Sequence, residues 1–194
     1  MKATQFLLLF LITINLSSYS QNIIEKDIFT VNYSESFEQP LWLEYDIICV
    51  DGEFKRGNRR FRTEKGVHTS NDADYKYNIW DKGHLAPAAT FNCSEEMLDK
   101  TFSFLNCALQ HEKLNQGPWK QLEKFERNLS KFYNVRVRID LIFDDASIKL
   151  TSGATVASFF VKTIHFNNET IIVKFPNTDV SSKNWSEFII LKDN

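Results

Sequence analysis

Residues 80–89 read Trp-Asp-Lys-Gly-His-Leu-Ala-Pro-Ala-Ala, and residues 114–123 read Leu-Asn-Gln-Gly-Pro-Trp-Lys-Gln-Leu-Glu. The first stretch offers His84, whose imidazole can accept a proton near neutral pH. The second offers the amide oxygen of Asn115 and the carboxylate of Glu123, donors suited to a hard cation such as Mg²⁺. A lone Asp-x-Gly-His arises readily by chance. The two units in this order, about thirty residues apart, form a far more specific pattern.

Working outward, the second unit opens a helix. Pro118 suits a first helical position, and Trp119, Leu122, Phe125, Leu129 and Phe132 recur at helical spacing as one apolar stripe. Lys120, Lys124, Arg127 and Lys131 fall on the opposite side, and Glu123 lies on the flank beside the stripe. Upstream, residues 94–107 read as a helix capped by Ser94, with Glu95 and Glu96 in its first turn. Residues 41–50 (LWLEYDIICV) read as a strand, and Asp51-Gly52 as a turn into a hairpin whose second arm is 53–62. Residues 63–78 are polar and read as a surface excursion. Residues 135–143, 155–166 and 170–175 read as strands, the last two separated by a turn at Asn167-Asn168-Glu169. The class is α+β, an antiparallel sheet with a few helices.

The chain begins Met1-Lys2, residues 6–14 are almost wholly apolar, and Ser18-Tyr19-Ser20 places small residues at both cleavage-determining positions. This predicts a secretory signal peptide over 1–20, a single domain over 21–194, and a secreted or periplasmic product. The apolar run is short for a bilayer span and no later segment is long enough, so no stable membrane association is expected after its removal. Seventeen Phe, four Trp and six Tyr supply ample core material.

The formal net charge is -2, and loss of Lys2 with the leader makes it -3. Nucleic-acid binders are often basic overall, so the sum weighs mildly against such a partner. The distribution is less even: residues 53–62 carry five cations and one anion. Read alone, that segment is a solvated turn. Of Cys49, Cys93 and Cys107, one disulfide plus one thiol (Cys93 and Cys107 being closest in sequence) and three unpaired buried thiols are equally open. Their spacing matches no zinc pattern.

On these residues the chain resembles the DNA/RNA non-specific endonucleases, the ββα-metal family that includes secreted Serratia-type nucleases and mitochondrial endonuclease G. The resemblance runs from about Pro40 to Glu126. It takes in Pro40-Leu41-Trp42, Glu44-Tyr45-Asp46, Asp74-Tyr75, Asp81 to Ala89, Asn106, Gln110, Leu114 to Gly117, Trp119 and Leu122-Glu123. Beyond that it fades to fragments such as Phe159 to Lys162 and Pro176-Asn177.

The resemblance implies a ββα-metal fold, a central antiparallel sheet flanked by helices, and metal-dependent non-specific cleavage of DNA and/or RNA. It implies His84 as general base, Asn115 as the direct protein ligand of Mg²⁺ (or Mn²⁺), and Glu123 holding metal-bound waters. Asn106 matches a supporting site residue. Arg56 best matches a phosphate-pairing arginine, with Arg59 and Arg60 as alternatives. The phosphate backbone would be the partner, tracked by the Lys120/Arg127 face. Lys82 stands where arginine is usual, keeping the charge but losing the bidentate fork. Leu109, Thr90 and residues 139–143 also depart from the pattern; all bear on rate and substrate preference.

Taken singly, His84 reads as a structural histidine, Asn115 as a helix cap, and Glu123 as the partner of Arg127 four residues on. Their joint order and spacing favour the catalytic reading. His68, His111 and His165 have no such context and read as structural or surface residues. The competing class is non-catalytic: a weakened nuclease scaffold, exported, that binds nucleic acid or a protein. A phosphodiesterase for small nucleotides fits the basic segments less well, since these suit a long polyanion.

Overall fold

A computed structural model describes residues 22–49 and 51–193, so the leader expected at 1–20 lies outside the described residues. Strand β6 (Val135–Ile142) shows how the main sheet forms. Its Val135, Val137, Ile139 and Leu141 are buried, while Arg136, Arg138 and Asp140 face the other way. That alternation buries one face of an antiparallel strand. β9 (Phe159–Phe166) runs antiparallel beside it, and β10 (Glu169–Pro176) returns through a two-residue turn. Asn167 and Asn168 both take positive φ, 46° and 62°, as a primed hairpin turn requires.

The complete sheet has seven strands. On one side of β6 lie β3 (Gln39–Asp46), β2 (Thr30–Ser34) and β1 (Asn22–Glu25). On the other, after β9 and β10, comes β11 (Ile189–Asp193). A small pair, β7 (Ile148–Lys149) with β8 (Thr155–Val156), sits apart.

A second two-stranded unit carries the first motif. β4 (Trp80–His84) pairs antiparallel with β5 (Cys107–His111). Two buried amides fasten it to the large sheet: Gln39 Oε1 accepts from Leu109 N at 2.9 Å, and Asn177 Oδ1 from His111 N at 2.8 Å. A helical turn, α2 (Glu112–Leu114), follows β5. The next turn, Asn115–Trp119, breaks at Gly117, and α3 (Lys120–Leu129) continues from it.

Helix α3 packs on the sheet through fully buried Trp119 and Leu122. Burying a leucine side chain contributes about 1.5–3 kcal/mol. Trp119 meets Phe160 edge-on at 5.5 Å and Phe175 at 5.8 Å. Beneath the helix lies a charged group that the periodicity alone does not show. Glu126 pairs with Lys162 at 2.8 Å, both fully buried, and accepts a hydrogen bond from Tyr45 Oη at 3.0 Å. The Lys162 ammonium also lies 4.3 Å from the centroid of the Trp119 ring.

Several local expectations are corrected. Residues 53–62 form no second hairpin arm, because both edges of β3 are already taken by β2 and β6. That segment instead makes a loop, anchored by Phe54 N to Asn92 O and by Arg59 to Asp99. The helix expected over 94–107 is only α1 (Glu95–Lys100), capped by Ser94 Oγ accepting from Met97 N. Beyond it Phe102, Phe104, Leu105 and Cys107 are all buried, a pattern no one-sided helix satisfies, and Cys107 begins β5. The stripe ends earlier than expected too: α3 stops at Leu129 and Phe132 is exposed. The strand expected over 155–166 is two, β8 and β9, parted where Asn177 Nδ2 donates to Ala157 O. The disulfide is Cys49–Cys93, Cα atoms 5.8 Å apart, and not Cys93–Cys107. Cys107 is the buried free thiol, since β5 carries it under the core.

Candidate active site

His84 ends β4, opposite Cys107 in the register. The preceding Gly83 is dictated by packing: a Cβ there would stand 2.8 Å from Gln110 Cβ and 2.4 Å from its Oε1. After His84 the chain is clamped by Asn106. Its Oδ1 accepts from Ala86 N at 2.7 Å, and its Nδ2 donates to Ala86 O and Thr101 O, both at 2.9 Å. The imidazole lies against Phe61 (4.6 Å between centroids) and edge-on to Phe102 (5.0 Å). Its Nε2 is buried with no hydrogen-bond partner among the described residues. Burial in this aromatic seat, aided by the nearby Arg56 charge, lowers the imidazole pKa to about 3, so the ring is neutral at physiological pH.

Asn115 sits at the break between α2 and α3, and it is not a helix cap. Its Nδ2 donates to Asp81 Oδ2 at 2.8 Å, as does Gln116 Nε2. With the nitrogen committed, the oxygen Oδ1 remains available as a donor atom to a cation. Glu123, two helical turns on, is half-buried. Desolvation, together with the neighbouring Glu126 carboxylate, raises its pKa to about 7 against the opposing pull of Lys162 and Arg127. No group of three or more His, Cys, Asp or Glu converges on a metal-sized point among the described residues. The donors present suit an ion such as Mg²⁺, which retains most of its waters and takes few protein ligands.

One pocket of about 430 Å³ brings His84, Asn115 and Glu123 together with Arg56, Lys82, Lys120 and Arg127. A larger cavity of about 710 Å³, between Asp46 and Thr170, holds none of these residues. Of the three candidate arginines, Arg56 lines the site, its Cζ 5.2 Å from the Phe102 centroid. Arg59 is spent on Asp99 and on the carbonyls of Lys55 and Arg56, and Arg60 is not in the pocket wall. Lys82 reaches the wall but is paired with Asp72 and ringed by Phe61, Tyr75 and Phe104. Asn106 is fully buried and lines nothing; it holds the backbone next to His84.

Residues 10–192 match the family model described as DNA/RNA non-specific endonuclease. The chain belongs to that family. Among known members, it is 41% identical over 83 residues to human (Homo sapiens) mitochondrial endonuclease G, covering 40% of this chain and 28% of that protein. It is 31% identical over 113 residues to mitochondrial nuclease EXOG of Danio rerio, covering 55% and 33%. The matched stretch thus spans a third or less of these relatives. A solved EndoG/EndoGI complex contains a chain of like fold, with TM-score 0.74 at 21% identity over 87% of this chain and 80% of that one. The fold is that of the ββα-metal nucleases, β4, β5 and α3 forming the ββα unit.

Within this endonuclease-family domain, three features escaped the sequence reading. Asp81 was quoted in the motif without a role, yet it orients Asn115. Gln110 fills the space that Gly83 leaves. The Tyr45–Glu126–Lys162 group is the third: Glu126 carried a signal, an acidic residue falling on the apolar face of α3 where a charge demands a partner.

Proposed function

We propose that the protein is a divalent-cation-dependent endonuclease that hydrolyses phosphodiester bonds of DNA and/or RNA without sequence specificity. The observation carrying this reading is the convergence of neutral His84, Asn115 with its oxygen uncommitted, and Glu123 in one pocket ringed by cations. His84 accepts a proton from water as the water oxygen bonds to phosphorus. The P–O3′ bond breaks and the departing oxygen is protonated from solvent, leaving a 5′-phosphate and a 3′-hydroxyl. A phosphate beside the ring offsets the Arg56 charge and so raises the imidazole's proton affinity when substrate is present. Arg56 pairs with the substrate phosphate, and Lys82 adds positive potential. Asn115 would hold the ion directly and Glu123 would accept hydrogen bonds from its waters. Bound there, Mg²⁺ or Mn²⁺ supplies Lewis-acid neutralisation of charge on the phosphoryl oxygens. Asn106 acts at one remove, fixing the loop that aims His84. Contacts to phosphate carry little sequence information, which suits non-specific cutting.

The direct test is incubation of purified protein with plasmid and with RNA, with Mg²⁺ or with EDTA. Nicking in Mg²⁺ alone supports the reading. Binding without cleavage in either condition would favour the alternative, a catalytically weakened binding module.

The pH response separates the two titrating groups. A Glu123 pKa raised above the usual carboxylate range means the folded protein retains that proton up to about pH 7. Its contribution to stability is therefore full in acid and is lost as pH rises through about 7. His84 has the opposite sense: its pKa is depressed to about 3, so its contribution is full above the ordinary histidine range and is lost as pH falls toward 3. Cleavage should therefore rise with pH through neutrality as Glu123 ionises. In Glu123→Gln, cleavage should be weak and the apoprotein should melt higher than wild type at pH 8, roughly one unit above that pKa. A wild-type profile flat from pH 5 to 9, roughly two units either side, would show that Glu123 takes no part.

We also propose export, with removal of residues 1–20. The Cys49–Cys93 disulfide supports it, since such bonds persist in oxidising compartments. Sequencing the mature amino terminus checks this; an intact Met1 would refute it.

A further inference from the structure

Beside the pocket at His84 lies another, of about 390 Å³, walled by Asp51, Gly52, Asn92, Lys124, Arg127 and Lys131. The two share Ala89 and Arg127, so they form one continuous depression. Three cations face one carboxylate there. Arg127 Nη1 is buried and has no hydrogen-bond partner among the described residues, a donor aimed into the shared wall. Lys131 pairs with Asp51 at 2.9 Å, but both side chains are solvent-exposed, at 42% and 72%, so an incoming anion can displace that pair.

The pocket is constructed. Asn92 Nδ2 donates to Gly52 O at 2.9 Å, and any Cβ at Gly52 would stand 2.4 Å from the Asn92 backbone. The two segments that approach so closely are also joined covalently through Cys49 and Cys93. One wall is therefore a cross-linked pair of loops and the other is the cationic side of α3.

We infer that this pocket is a second phosphate subsite, which takes the backbone phosphate neighbouring the one held at His84. The inference rests on the nuclease reading and extends it: the preferred substrate is a polynucleotide long enough to cross both pockets, and Lys124, Arg127 and Lys131 are positioning residues for it. A diester with no neighbouring phosphate gains nothing from them.

The test uses Lys124→Gln/Lys131→Gln, two residues that touch only the second pocket, and Asp51→Asn, which frees Lys131. Binding of a labelled single-stranded oligonucleotide is measured without divalent cation across a salt series, and hydrolysis of bis(p-nitrophenyl) phosphate with Mg²⁺. The double variant should bind the oligonucleotide about tenfold more weakly near 0.1 M salt, with a salt slope smaller by about two. Asp51→Asn should bind more tightly, and the small diester should be hydrolysed at the wild-type rate by both. Unchanged affinity and slope in the double variant overturns the subsite. So does an equal loss on the small diester, which would place these lysines in the catalytic pocket, and so does a wild type that binds no oligonucleotide. A wild type that binds with full salt slope and cuts neither substrate refutes the nuclease reading and leaves the subsite standing.

Discussion

His84→Ala should abolish cleavage while the protein stays folded and still binds nucleic acid. Two effects compete in this variant and their sizes differ. The ring's contacts with Phe61 and Phe102 are each worth about 0.5–1.5 kcal/mol, and its Nε2 has no protein partner to lose. Removing a positioned general base costs roughly 10²–10⁴-fold in rate, about 3–5 kcal/mol of barrier. The functional loss should therefore far exceed the structural one. It should show as a vanished turnover, a melting temperature lowered by only a few degrees, and oligonucleotide binding in EDTA within a few-fold of wild type. Near wild-type cleavage, in a preparation free of contaminating nuclease, would remove His84 from the mechanism. Loss of binding together with turnover would instead make the ring part of the fold of the pocket.

How much of this could be read beforehand depended on whether a residue's partners were near in sequence. β6 and the β9–β10 hairpin were legible because alternation and the Asn-Asn turn are local. The core of α3 was legible from Trp119 and Leu122. The loop over 53–62 was not, because its fate is decided by β6, some seventy residues later in the chain, occupying the edge that a hairpin arm would need. The same holds for the cysteines: Cys107 is nearest Cys93 in sequence, yet β5 carries it into the core, while Cys49 arrives from the end of β3. At the site, the donors were legible as residue types, but their orientation was not. Asp81 gripping the Asn115 nitrogen, Asp72 restraining Lys82, and Asp99 drawing Arg59 off the pocket are long-range side-chain contacts without periodicity.

Asn115→Ala should raise the Mg²⁺ concentration needed for half-maximal cleavage, by about 10–100-fold, the usual cost of losing a ligand or its support. The amide is held by Asp81 at 2.8 Å through Nδ2, which leaves Oδ1 as its only free polar atom. Asp81→Ala should thus act in the same direction but more weakly, since the amide remains and has lost only its restraint. The double variant should be no worse than Asn115→Ala, because Asp81 acts through that side chain; additive losses would mean that Asp81 meets the ion by itself. Asn115→Asp retains an oxygen donor but sets a second carboxylate against Asp81. Its apparent Mg²⁺ affinity should fall with decreasing pH more steeply than that of wild type. Calorimetric titration of Mg²⁺ into each variant reads binding independently of turnover. An unchanged titration in Asn115→Ala would show that the ion is held elsewhere, and that the Asp81–Asn115 contact serves only to join β4 to the start of α3.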